Sequence, residues 1–80
     1  MVTLYSRPEC HLCDQAREQL EAMRAEGAGF ELREVDIESD PALLARFLER
    51  IPVIEVEGAI VCELGLDADG LRARLGTVSA

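Results

Sequence analysis

Leu4-Tyr5-Ser6-Arg7-Pro8-Glu9-Cys10-His11-Leu12-Cys13 is the stretch on which the reading of this chain turns. It opens with Val2 to Ser6, an alternating run rich in β-branched and aromatic residues, which predicts a short strand. Pro8 has no backbone donor and biases Arg7 away from helix, so Arg7-Pro8-Glu9 reads as a loop. From Cys10 to Ala25 the apolar period becomes helical. Leu12, Cys13, Ala16, Leu20 and Met23 fall on one face, with Gln15, Arg17, Glu18, Glu21 and Arg24 opposite. Arg17 and Glu21 are spaced for an i,i+4 pair. Two cysteines at C-x-x-C spacing therefore stand where a loop leaves a strand and opens a helix.

That placement carries chemistry. The thiolate is the nucleophile in disulfide exchange, and an ordinary cysteine is mostly protonated at neutral pH. A helix N-terminus offers unpaired N–H groups and the positive end of the macrodipole, both of which favour the anion. Cys10, at the mouth of the helix, is the expected attacking thiol. Cys13, one turn inside on the apolar stripe, is the expected shielded, second-acting thiol. Arg7, three residues before Cys10, and His11, when protonated, are candidates for stabilising the thiolate, while Glu9 and Asp14 oppose it. His11 also reads equally as a solvated first-turn residue. A C-x-x-C pair is also half of a zinc site, but such a site needs four ligands and only His11 and Cys62 remain to complete one. No metal set is therefore expected.

Working outward, Phe30 to Ile37 alternates with a phase break at Arg33-Glu34 and predicts a second strand. Ser39 or Asp40 caps a second helix with Pro41 at its first position and Leu43, Leu44, Phe47 and Leu48 as its apolar face. Pro52 to Val56 and Ala59 to Cys62 form a hairpin about the Glu57-Gly58 turn. Asp67 or Asp69 opens a last short helix with Leu71 and Leu75 inward, and Thr77 to Ala80 is expected to fray. The order β-α-β-α-β-β-α predicts an α/β fold, a mixed four-stranded sheet flanked by helices on both faces. Glu55 fits poorly in a central strand and needs an exposed face or an arginine partner.

The 80 residues are expected to form one domain, which buries only about 60% of its unfolded surface. Apolar residues make up 49% of the chain, which excludes a disordered one, and aromatics are few, so the core is aliphatic. The net charge of −8 disfavours nucleic acid and anionic membrane as partners. No apolar run approaches the roughly 20 residues of a membrane span, and no export signal is read at the N-terminus, so a cytoplasmic location and a monomer are expected. Three cysteines in such a chain argue against a disulfide-stapled scaffold.

With these segments in order, the chain resembles the glutaredoxins and glutaredoxin-like proteins of the thioredoxin superfamily. The resemblance runs through the strand, loop and Cys10-His11-Leu12-Cys13, then Val35-Asp36-Ile37, Ile51-Pro52-Val53 and Glu57-Gly58. It implies a thioredoxin-like fold and a thiol–disulfide oxidoreductase acting on protein disulfides or glutathione mixed disulfides. It implies that Ile51-Pro52 is a cis-proline facing the dithiol, with the Ile51 backbone pairing with an extended substrate. It implies no bound cofactor, with glutathione or a thioredoxin-reductase system as the external electron source. Two departures stand out. Cys-His-Leu-Cys replaces the usual Cys-Pro-Tyr-Cys, and Cys62-Glu63 occupies the place of the family's glutathione-approaching Gly-Gly pair. Cys62 is accordingly a candidate second thiol near the active-site edge, or a small buried apolar residue. A metal-binding or iron–sulfur module, and a redox sensor or dedicated electron donor, are the competing classes.

Overall fold

Strand β1 (Val2–Ser6) pairs on both sides. It runs parallel to β2 (Leu32–Asp36) and antiparallel to β3 (Val53–Val56), and β3 returns as β4 (Ala59–Glu63). The spatial order is β2-β1-β3-β4, the mixed four-stranded sheet expected from the sequence. A computed structural model describes residues 1–27, 29–65 and 70–71. Because Ser6 stands opposite Asp36, Tyr5 opposite Val53 and Val53 opposite Glu63, one end of the sheet collects four chain segments. The ends of β1, β2 and β4 and the start of β3 all arrive there. In the hairpin, Glu57 and Gly58 have φ of 49° and 84°; two positive values match the right-handed twist of the strands, and Gly58 adopts its value without a Cβ penalty.

Helices cover both faces of the sheet. Helix α1 (His11–Ala25) buries Cys13, Ala16, Leu20 and Met23. Ala16, Leu20 and Met23 pack with Val2, Leu4, Ile54, Val56 and Cys62, and Leu71 joins the same cluster. On the other face, Phe47 of α2 (Pro41–Phe47) packs with Ile37 and Val53, flanked by Tyr5, Leu43, Leu44, Ile51 and Ile60. The Tyr5 and Phe47 rings lie 4.8 Å apart, and the Arg46 guanidinium sits 4.6 Å from the Phe47 ring centre.

Several local expectations are corrected. Leu12 is 50% exposed, because it lies in the open first turn of α1, ahead of the sheet contact that buries Ala16 and Leu20. Leu48 is 43% exposed, because it caps α2 rather than belonging to its inward face. Strand β2 is shorter than Phe30 to Ile37: Ile37–Ser39 is a turn of 3₁₀ helix, with Asp36 Oδ1 accepting from the Glu38 N–H at 2.8 Å. The cap of α2 is Asp40, whose Oδ1 accepts from Ala42 N–H at 2.9 Å, and Ser39 instead donates to the Asp36 carbonyl. The phase break at Arg33-Glu34 is real, since Leu32 packs with the α1-side core while Val35 pairs with Tyr5 of the α2 side. Glu55 is half-buried, and its partner is the Tyr5 hydroxyl at 3.4 Å. Burial, and then the Glu55 charge, push the Tyr5 phenol above its ordinary value. Of the expected last helix, Gly70 and Leu71 are helical and Leu71 is fully buried; Asp67, Asp69, Leu75 and the tail lie outside the described residues.

Arg17 does not use Glu21 as its partner. Its guanidinium reaches across to β2, with Nε 2.8 Å from Glu34 Oε1 and Nη2 2.6 Å from Glu34 Oε2, and Nη1 binds Asp14 Oδ1 at 2.9 Å. The buried Ser6 hydroxyl donates to the same Glu34 carboxylate at 2.8 Å. Two fixed bonds from another element hold Arg17 better than one flexible pair on its own helix. The arginine bonds hold the Glu34 carboxyl below its usual value of 4.5, against the opposing effect of burial.

The core placement predicts that Leu20→Ala loses about 2–5 kcal/mol in urea denaturation, while Leu12→Ala changes stability by less than about 0.5 kcal/mol. Equal losses would contradict the burial difference. The lowered Glu34 value means its contribution is present above the ordinary carboxylate range and fades as pH falls through the folded value. Glu34→Gln is therefore expected to destabilise the protein at pH 7, with the gap to wild type closing as the pH falls below the ordinary carboxylate range. A gap that persists in acid would assign the loss to packing.

Candidate functional site

The site forms at the end of the sheet where the four segments converge. Strand β1 delivers the loop Arg7-Pro8-Glu9, and Glu9 turns it with a left-handed backbone (φ 61°). That conformation costs a residue with a side chain roughly 1–2 kcal/mol. Cys10 then serves as the N-cap of α1: its backbone is extended, and its Sγ accepts the Cys13 N–H at 3.2 Å. A sulfur thus takes the place of the usual serine or aspartate oxygen on an orphan donor of the first turn.

Cys10 and Cys13 are joined by a disulfide, with Cα atoms 5.2 Å apart, inside the range that such bonds bridge. Their environments differ as the spacing predicts. Cys13 is fully buried, whereas Cys10 is half-buried at the surface. When the bond is reduced, the same N–H and helix dipole face the Cys10 sulfur and favour its anion.

The other expected site residues distribute around this pair. His11 is exposed at the first helical position. Arg7 is exposed, and its Nε lies 3.0 Å from Glu38 Oε2, so its charge is engaged by the 3₁₀ turn after β2. Ile51-Pro52 is a cis peptide bond immediately before β3, at the dithiol end of the sheet. The Ile51 N–H donates to the Phe47 carbonyl at 3.1 Å, and the Arg50 carbonyl accepts from Leu64 N–H at 2.9 Å. Cys62 pairs with Ile54 on β4 and is 7% exposed within the α1-side core. Its neighbour Glu63 faces outward with its carboxylate 3.5 Å from Arg50.

Between the Arg7–Glu9 loop, the first turns of α1 and the end of β2 lies an open recess of about 380 Å³, lined by Asp14, Arg17, Glu34 and Asp36 among others. Sequence reasoning missed the ionic network on its wall; its one trace was the phase break that turns Glu34 toward α1. Among the described residues, no three His, Cys, Asp or Glu side chains gather into a metal-binding cluster, and no helix is long and apolar enough to cross a membrane.

The sequence matches the glutaredoxin-like domain family (DUF836) over residues 1–76. No curated protein matches it significantly. Among solved structures, the protein XcR50 from X. campestris is 38% identical, covering 96% of this chain and 97% of its own, with a TM-score of 0.78. Protein Ne2328 from Nitrosomonas europaea is 28% identical with a TM-score of 0.80, covering 91% of this chain and 87% of its own. Buckwheat glutaredoxin, solved as a glutathione complex, shares the fold at 12% identity, covering 96% of this chain and 69% of its own, with a TM-score of 0.59. Sheet order, dithiol placement and this family match agree: the chain belongs to the glutaredoxin-like domain family (DUF836).

Proposed function

We propose that the protein is a dithiol oxidoreductase that reduces or exchanges disulfides of protein partners. The observation that carries this reading is the Cys10–Cys13 disulfide at the N-terminus of α1, with one sulfur at the surface and the other buried. In the reduced protein the Cys10 thiolate attacks one sulfur of a substrate disulfide; an S–S bond forms to Cys10 and the second substrate sulfur leaves as a thiolate. The Cys13 thiolate then attacks the Cys10 sulfur, closing the intramolecular disulfide and releasing the first substrate sulfur. Two electrons pass to the substrate, and two must return from an external thiol source.

The surroundings favour an extended protein segment as substrate. The Ile51 carbonyl is the backbone group offered for strand-like pairing, since its N–H is engaged by Phe47. Leu12 between the cysteines and Leu64 beyond β4 are 50% and 61% exposed at the same end of the sheet, supplying apolar contact. Glutathione is a weaker fit: the outward Glu63 carboxylate occupies a position where the resemblance implies glycine, and the net charge of −8 opposes an anionic tripeptide. Recharging by a reductase is therefore favoured over recharging by glutathione. A cytoplasmic location suits such a reductant.

Titration in thiol–disulfide buffers, with alkylation and mass spectrometry, tests the reading. A reversible Cys10–Cys13 bond with a potential of roughly −180 to −270 mV is expected. Cys10→Ser is expected to abolish exchange, whereas Cys13→Ser retains attack and accumulates the mixed disulfide. A protein whose dithiol never cycles in this range, or that purifies with stoichiometric metal on these cysteines, is instead a binding module. Cys62→Ala is expected to lower thermal stability and leave the exchange rate unchanged; a fall in rate would make Cys62 a working thiol.

A further inference from the structure

Cys10, Asp14 and Arg17 stand at i, i+4 and i+7 along α1, a spacing that stacks their side chains on one stripe. Asp14 directly follows the capped turn, and its N–H donates to the Cys10 carbonyl at 3.0 Å. An aspartate one turn from Cys10 opposes a thiolate there, yet its Oδ1 accepts from Arg17 Nη1 at 2.9 Å, one turn further along the stripe. Arg17 in turn is fixed by two bonds from Glu34, and Glu34 by Ser6.

We infer that Arg17 is a positioning residue for the reactive thiol: held by Glu34, it neutralises and withdraws Asp14 and so keeps Cys10 ionised. The inference rests on the dithiol reading above and deepens it. The arrangement explains why an acid is tolerated in the first turn of a helix whose N-terminus must favour an anion. Among the described residues, Arg17 is the cation paired with Asp14. The Arg7 guanidinium is engaged by Glu38, and Arg50 on the hairpin side lies beside Glu63. Glu9 and Asp36 add negative charge, and His11 is exposed on the opening turn. Bonds to Glu34, then Asp14, push the guanidinium well above its ordinary value, so its positive charge is constant through the range in which a thiol titrates.

The test measures Cys10 ionisation directly, as the pH dependence of its iodoacetamide alkylation in the reduced full-length chain, located by mass spectrometry. Arg17→Gln is expected to raise the Cys10 midpoint by roughly half a unit, about a threefold slower alkylation below it, given screening at a partly exposed site. Arg17→Lys restores most of the shift, and Asp14→Asn in the Arg17→Gln background reverses it. The shift shrinks at about 1 M salt. A purely structural Arg17 would lower the melting temperature and leave the Cys10 midpoint where it is in wild type; that outcome overturns the inference. Disulfide exchange measured in parallel on wild type separates the two claims. Loss of exchange there sinks the dithiol reading, whereas unequal midpoints between variants bear on Arg17 alone.

Discussion

Everything in this molecule is arranged around the double pairing of β1. A strand hydrogen-bonded on both sides and covered on both faces has no freedom to slide, because a shift by one residue would send Val2 and Leu4 to the α2 side and Thr3 and Tyr5 to the α1 side. That fixes where Ser6 ends, and with it the loop that carries Cys10. The parallel partner β2 must return to the same starting edge, which requires α1 to cross one face. The antiparallel partner β3 must then begin beside the finish of β1. That the dithiol and Ile51-Pro52 share one end of the sheet is a topological result of these two pairings, reached by residues 38 or more positions apart in the chain.

The sequence made the skeleton readable because its signals were local and redundant. Cys13, Ala16, Leu20 and Met23 mark a helix by period alone, Asp40-Pro41 marks a helix start, and Glu57-Gly58 marks a turn. The dithiol was legible for the same reason: both of its residues and their helix lie within one short segment. What escaped was decided across elements. Periodicity put Leu12 on the inner stripe, but whether a helical position is buried depends on where the sheet reaches, and it does not reach the first turn. Arg17 had an acceptable partner in Glu21 by spacing; the better one, Glu34, comes from another strand and is visible only once β2 is docked. Glu55 looked misplaced until Tyr5 was set near it across the sheet.

The closed α1 face of the sheet and its dithiol end differ in character. The α1-side core is nearly all aliphatic and fully closed, from Val2 and Leu4 through Leu20 to Ile54 and Val56. At the dithiol end stand the left-handed Glu9, a sulfur cap, a cis peptide bond and a pair of carboxylates on Arg17. Cys13 belongs to both. It is packed as a core residue and also closes the disulfide with the half-buried Cys10, so that bond ties the surface to a sulfur the fold itself keeps dry.

Cys62 gives the molecule a built-in stopwatch. With its sulfur inside the closed side of the sheet, a thiol reagent meets Cys62 only after that core has opened, whereas Cys10, once its disulfide with Cys13 is reduced, meets the reagent at the surface. The labelling half-life of this one atom therefore clocks how often the interior breathes, in a chain that has no tryptophan to report the same event by fluorescence.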